Sequence, residues 1–398
     1  MKRGWLIVLA GIGINLSFGV LYAWSIFAKN LREINGWTAS EASLPYTMAI
    51  IMFAVLMIPG GRLQDKMGPR FVVVLAGALI GSGMILSSFV STSSVLLAIT
   101  FGVLGGAGIG LGYSATTPVA VKWFPPSKKG LISGLVVGGF GLAPLYIAPL
   151  TKMLIASMGI AGTFRSLGFL FLGVVVVLGM TLKNPEKPAA DAPSTAPGVV
   201  QKPAGKDYVW QEMIKTVQFK QLWVMFFVGA VAGLMIIGHL ATIVSEQSNG
   251  LVNASAVVMI ASIANALGRP AAGVISDKIG RAKTMMVLYA LQGTALVLYS
   301  TFSSFILLTL GACIITFGYG AMLAVYPSAA GDFYGAKNLG LNYGVLFSAW
   351  GVGGIVGPQL AGFFLDATGT YQTAFYTAAA LCFVGAFIGF ILKPVKHS

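Results

Sequence analysis

Apolar stretches of about 20 residues or more, the length a helix needs to cross the hydrocarbon of a bilayer, follow one another along nearly the whole chain. They are separated by short polar or basic punctuation. The pattern predicts twelve spanning helices, near residues 5–27, 43–63, 71–91, 95–122, 130–156, 163–183, 219–245, 253–275, 283–303, 305–331, 339–365 and 371–392. One long hydrophilic interruption stands out, Asn184–Gln218, where Pro185, Pro188, Pro193, Pro197 and Pro203 alternate with Ala, Lys and Asp. Such a composition buries no core and reads as a mobile linker. The chain therefore divides into a six-helix half (1–183), a cytoplasmic linker (184–218) and a second six-helix half (219–398).

Composition agrees with this reading. The 398 residues are 57% hydrophobic and 9% charged, with a mean hydropathy of +0.86. That is too little charge to cover an aqueous surface, where roughly a quarter of residues are charged. The basic N-terminus leads into an apolar run with no small-residue cleavage pattern, so it reads as a retained first span. Cys313 and Cys382 both fall within predicted spans and are expected to be free thiols. The net charge of +14 reports topology. With the N-terminus in the cytoplasm, 20 of the 25 Lys and Arg residues fall on the cytoplasmic side and 4 outside, leaving Arg269 within a span. This is the positive-inside asymmetry; it sets both termini in the cytoplasm and removes any need for a nucleic-acid partner.

The two halves repeat. Gly61-Arg-Leu-Gln-Asp65-Lys66-Met-Gly68-Pro-Arg70 follows span 2, and Gly273-Val-Ile-Ser-Asp277-Lys278-Ile-Gly280-Arg281 follows span 8. Both fit G-x-x-x-D-K-x-G at an offset of 212 residues, and Gly130, Gly134 and Gly141 return as Gly340, Gly344 and Gly351 at an offset of 210. Two such matches argue for internal duplication. In each loop the glycines allow a tight turn and close helix approach. The aspartate either faces basic neighbours when the cytoplasmic side closes or is a solvated turn charge.

Arg269 is the chain's one cation that falls at no predicted membrane edge. A charge within hydrocarbon is costly and is kept for a task, so an anion is its natural partner. Two other readings stand beside this one: snorkelling toward the interface, since Asp277 lies roughly 12 Å farther along the helix, or pairing with a backbone carbonyl. The repeat offers a control, because at the offset of 212 the equivalent residue is Met57. Asn265, one turn away, shares the face of Arg269. His239, deep in span 7, is the side chain suited to titrate near neutral pH, or else an interhelical hydrogen-bond former. Tyr113 and Tyr319, beside glycines near midplane depth in spans 4 and 10, offer hydroxyls from opposite halves. Tyr22, Asn15, Tyr371 and Trp350 are weaker candidates. Absences matter too. No acid lies deep in a span, which disfavours organic-cation export, and no metal cluster, nucleotide loop or nucleophile–base pair indicates an enzyme or a cofactor.

The duplicated G-x-x-x-D-K-x-G loops resemble those of the major facilitator superfamily, over essentially the full chain. That resemblance implies that Asp65 and Asp277, with their basic neighbours Lys66, Arg70, Lys278 and Arg281, stabilise an outward-open state without touching substrate. Trp123-Phe-Pro-Pro-Ser-Lys128-Lys129-Gly130-Leu-Ile-Ser-Gly134, Ser17-Phe-Gly-Val-Leu-Tyr22-Ala-Trp24 and Gly268-Arg269-Pro270 are similar to the monocarboxylate transporter and oxalate–formate antiporter group. Three departures qualify this. Tyr22 stands where animal-type members have a lysine, Asn265 where they pair an aspartate with the span-8 arginine, and Trp350 where oxalate carriers have a second cation. One intramembrane cation balances one carboxylate, and a dianion would leave a charge uncompensated in low dielectric.

The expectation is an all-α membrane protein of twelve transmembrane helices in two pseudo-symmetric bundles, lying in a cell membrane of bacterial inner-membrane type. It is no enzyme. It would carry small monocarboxylates of the lactate or pyruvate type by alternating access, coupled to protons, with Arg269, Asn265, Tyr113, Tyr319 and His239 at the substrate and His239 carrying the proton. It needs no cofactor beyond the co-transported proton and no obligatory protein partner. A dicarboxylate or oxalate–formate exchanger is the alternative.

Overall fold

The computed structural model describes residues 2–125, 128–185, 207–335 and 337–393. Among these residues every regular element is helical. The first half holds α1 (Lys2–Phe18), a 3₁₀ stretch (Gly19–Ala23), α2 (Trp24–Asn35), α3 (Ala39–Met67), α4 (Pro69–Ser87), α5 (Ser94–Leu97), a π-helical stretch (Ala98–Gly105), α6 (Gly106–Val121) and α7 (Lys129–Thr181). The second half holds α8 (Trp210–Met213), α9 (Val217–Gln247), α10 (Ala254–Ile279), α11 (Arg281–Tyr299), α12 (Phe305–Tyr334), α13 (Leu339–Thr368) and α14 (Gln372–Ile391). Ten of the helical segments are long and apolar enough to cross a membrane.

Local chemistry sets the helix ends. Thr38 and Glu41 form a reciprocal cap at the start of α3, while Thr216, Asn253 and Ser304 accept from the first turns of α9, α10 and α12. Gly68 and Gly280 (φ 86° and 91°) make the tight turns after the two repeated motifs. The expected spans 5 and 6 run together in α7, whose 53 residues would reach roughly 80 Å if straight. It breaks instead at Gly159 (φ 70°) into two arms. The first arm packs on α1 through Gly11 and Val136, the second on α4 through Gly81 and Leu172.

The expected linker needs a correction at its C-terminal end. The Tyr208 amide donates to the Tyr334 carbonyl, and the Tyr208 carbonyl accepts from the side-chain amides of Asn338 and Asn342. Asp207 accepts from the Lys337 amide. Tyr208 supplies hydrogen bonds and the fully buried Met213 an apolar anchor that the proline-rich composition lacks, so residues 207–218 are docked on the second half. The stretch 186–206 lies outside the described residues.

Large side chains such as Phe363, Phe387 and Phe390 stand 64–74% exposed on the outer surface. Water would not tolerate such a belt; lipid is its natural solvent. The interface between halves is closed tightly at the end that carries the repeated loops, here called the motif face. There a Cβ on Gly130 would meet the Gly273 carbonyl, and one on Gly61 that of Gly340. The start of α1 and the end of α14 lie toward this face, Gly4 beside Phe124 and Gly389 beside Met286.

Candidate substrate site and gate

Arg269 is fully buried at the junction of the halves. It projects from α10 across to the first arm of α7, where its Nη1 donates to the Val137 carbonyl, and its Nη2 donates to Asn265 Oδ1 at 3.1 Å. Snorkelling is thereby excluded, and the carbonyl pairing is real but incomplete: Nε has no hydrogen-bond partner. Among the described residues no carboxylate pairs with Arg269. Small residues create its niche. A Cβ on Gly141 would meet Arg269 Nε at 2.9 Å, and one on Gly134 would strike the Arg269 carbonyl. By symmetry Gly344 backs the carbonyl of Met57, so Arg269 and Met57 occupy equivalent backbone positions. The fold accommodates an apolar residue there.

Tyr113, Tyr319 and Tyr343 all lie within electrostatic range of the guanidinium. Tyr319 is placed by its flanking Gly320, which lets α12 rest on the Asn265 backbone. Its hydroxyl accepts from Trp350 Nε1 at 2.9 Å and faces the Tyr22 hydroxyl at 3.5 Å, closing a link between the halves. Asn15 instead bonds Thr116 and the Gly11 carbonyl, inside the first half.

Sequence reasoning missed the walls. Phe53 packs on Tyr113, Phe347 and Trp350 with ring centroids 5.1–5.3 Å apart, and Phe140 meets Tyr113 at 5.7 Å. One signal was available: Phe140 and Trp350 are repeat mates at the offset of 210, as Phe53 and Asn265 are at 212. The result is a single cation beneath three phenols, enclosed by aromatic rings.

The structure does not bring His239 to this cluster. Its Nδ1 lies 3.2 Å from the Tyr371 hydroxyl and its Nε2 3.1 Å from the Pro358 carbonyl. Because that carbonyl only accepts, Nε2 carries the proton and Nδ1 accepts from Tyr371 when the ring is neutral. Gly233 marks the level of Tyr319 on α9, and His239 lies six residues beyond it, roughly 9 Å farther from the motif face.

At the motif face the two repeated aspartates do the same work in trans. Asp277 of the second half accepts from the Gly130 and Leu131 amides at the N-terminus of α7, at 3.1 and 3.2 Å. Asp65 of the first half accepts from the Leu341 amide at the N-terminus of α13, at 3.2 Å. Leu131 and Leu341 are themselves repeat mates. A carboxylate at a helix N-terminus meets unpaired amides and a favourable dipole. Arg281 reinforces Asp277 (2.7 Å) and bridges to Asp332 (2.9 Å), which also meets Lys129 at 3.5 Å. Lys66, Arg70 and Lys278 are exposed. Pro69 takes the first position of α4 and shifts Arg70 one residue along, so the first half has no counterpart to the Arg281 pair.

A protein with two pseudo-symmetric helical bundles, a closed gate at one face and a charged niche at their junction is built to carry a solute by alternating access. The family profile described as Major Facilitator Superfamily matches residues 6–292 and 243–398, and the chain belongs to that superfamily of transporters, not to an enzyme family. It is 32% identical over 361 residues to the uncharacterized MFS-type transporter YhjX of Escherichia coli, covering 89% of this chain and 86% of that one. It is 28% identical to the oxalate:formate antiporter of Oxalobacter formigenes (99% and 94% covered) and 26% identical to monocarboxylate transporter 13 of Rattus norvegicus (96% and 87%). Among solved structures, the proton:xylose symporter XylE superposes with a TM-score of 0.73 at 14% identity, covering 100% and 97%.

Proposed function

We propose that the protein is a proton-coupled carrier of small monocarboxylates of the lactate or pyruvate type, with twelve crossings, cytoplasmic termini and a bacterial inner membrane as its setting. The observation that carries the reading is Arg269: fully buried, without an acidic partner among the described residues, and with one N–H unpartnered. Removing a charged donor from water and leaving it unpaired costs several kcal/mol, which a bound carboxylate recovers by accepting from the guanidinium. Tyr113 and Tyr319 would donate to the same anion or to a substrate hydroxyl, while Phe53, Phe140 and Phe347 suit a short carbon chain. Trp350 fills the place of the second cation that oxalate carriers are expected to use, and so favours one carboxylate over two. The names of two relatives, a monocarboxylate transporter and an oxalate:formate antiporter, point to carboxylates as the class.

Proton carriage is assigned to His239, now away from the substrate. A second proton on Nδ1 would turn it from acceptor to donor, so Tyr371 must reverse its hydroxyl. Protonation therefore changes how α9 is tied to α13 and α14, elements that move with the second half.

Uptake of labelled lactate into proteoliposomes tests the proposal. An inward proton gradient should accelerate it, and His239→Gln should flatten its pH dependence. Indifference to the gradient would overturn the coupling. An absolute requirement for internal counter-substrate would favour the exchanger reading instead.

A further inference from the structure

Between the Arg269 niche and the motif face lies a second cavity of about 30 Å³, lined in part by Thr117, Val121, Lys122, Lys129, Pro327, Gly331 and Leu339. Its walls come in pairs. Thr117 and Pro327, Val121 and Gly331, and Lys129 and Leu339 are each separated by the repeat offset of 210. A space lined by repeat mates sits on the pseudo-twofold axis, and in a two-half carrier the solute path runs along that axis. The depth also fits. Thr117 is one turn below Tyr113 on the same face of α6, and Lys122 lies roughly 13 Å below Tyr113 along that helix.

The chemistry of the lining is lopsided where its geometry is symmetric. Both charged residues are lysines and both come from the first half. Thr117 is 2% exposed, and its Oγ1 has no hydrogen-bond partner. A helical threonine ordinarily returns its hydroxyl to a carbonyl one turn back, so a buried, unspent hydroxyl beside a cavity calls for a polar occupant. In the closed gate the lysines are balanced from outside the cavity, Lys129 by Asp332 at 3.5 Å and Lys122 electrostatically by Asp65. Asp65 is also the aspartate that caps α13. When the motif face parts, the Lys129–Asp332 pair, which joins the two halves, breaks, the cavity widens, and Lys129 is left facing the path beside Lys122.

We propose that this cavity is a second carboxylate site, a staging position that the anion occupies between Arg269 and the motif face, held by Lys122, Lys129 and the Thr117 hydroxyl. It rests on the reading of the protein as a carboxylate carrier. Closed, the space admits only water-sized occupants; the site forms as the gate opens. The lysines draw the anion off Arg269, and Asp332 reclaims Lys129 once it leaves.

The test is the Km for labelled lactate measured separately from each face of oriented proteoliposomes. Thr117→Val removes the hydroxyl at nearly constant volume and touches no gate contact, and Lys129→Gln removes one charge. Each is expected to raise Km on the motif face about 10- to 100-fold, as the loss of one hydrogen bond to a charged ligand implies, and to leave Km on the opposite face within about twofold. Lys129→Arg should restore the wild-type value. A motif-face Km unchanged in Thr117→Val, or raised equally on both faces, overturns the staging site. If Lys129→Gln does not assemble, Thr117→Val decides alone. If the wild type carries no carboxylate, the functional reading falls first; if it does and the variants are silent, only this site falls.

Discussion

A single side chain decides most of the chemistry, and its pseudo-symmetric mate supplies the control. Met57 shows that the backbone position of Arg269 folds with an apolar side chain in it. Arg269→Met should therefore assemble, with a thermal transition close to that of the wild type, while losing transport. Truncating a buried charged contact costs about 3 kcal/mol or more, so uptake at low substrate should fall at least roughly a hundredfold. Uptake assays paired with thermal melts in lactate check both parts: ligand should raise the wild-type transition and leave the variant's unmoved. Arg269, Tyr113 and Tyr319 were legible in the sequence because polar atoms contrast with an apolar span. Phe53, Phe140 and Phe347 were not, since a ring within a hydrophobic run looks the same whether it faces lipid, core or substrate. That His239 stands apart from this cluster was hidden for a related reason: sequence gives depth in a helix but not which neighbours surround it.

Among the elements, the two motif loops are equal in sequence and unequal in contact. Asp277 accepts two amides at the start of α7 and is tied through Arg281 to Asp332 and Lys129. Asp65 meets the Leu341 and Gly340 amides at the start of α13 but, among the described residues, has no arginine partner corresponding to Arg281, and neither side-chain polar atom of the neighbouring buried Gln64 has a hydrogen-bond partner. The gate is therefore held harder by the second half's loop. A cysteine placed under the closed motif face should be labelled faster in Asp277→Asn than in Asp65→Asn, both exceeding the wild-type rate; equal rates would contradict the inequality. Duplication, helix order and the role of the glycines could be read from spacing alone. The 3₁₀ stretch at Gly19–Ala23 and the π-helical stretch at Ala98–Gly105 could not, because hydrophobic periodicity does not resolve a local change in winding. Similarly, the docked segment 207–218 was hidden inside a composition dominated by its proline-rich neighbour.

For the molecule as a whole, the charge balance of the empty carrier is the governing quantity. In the proposed carrier the halves rock past each other around a site that, without substrate, holds Arg269 against the neutral oxygens of Asn265 and Val137, with no carboxylate partner among the described residues. With a monocarboxylate bound, that charge is cancelled. Reorientation costs less when the moving site is neutral, so the loaded carrier should cross faster than the empty one. Net uptake must include the empty return, whereas exchange bypasses it. Lactate inside the vesicles should therefore accelerate uptake of labelled lactate severalfold under conditions without a proton gradient. Asn265→Asp supplies the missing counter-charge, since the side chain already lies 3.1 Å from Nη2. The ratio of exchange to net flux should then fall toward one. The new carboxylate would also compete with substrate for the guanidinium while ionised and release it when protonated, so Km in the variant should drop as pH falls. If the ratio stays at its wild-type value in Asn265→Asp, the charge of Arg269 is not what slows the empty carrier.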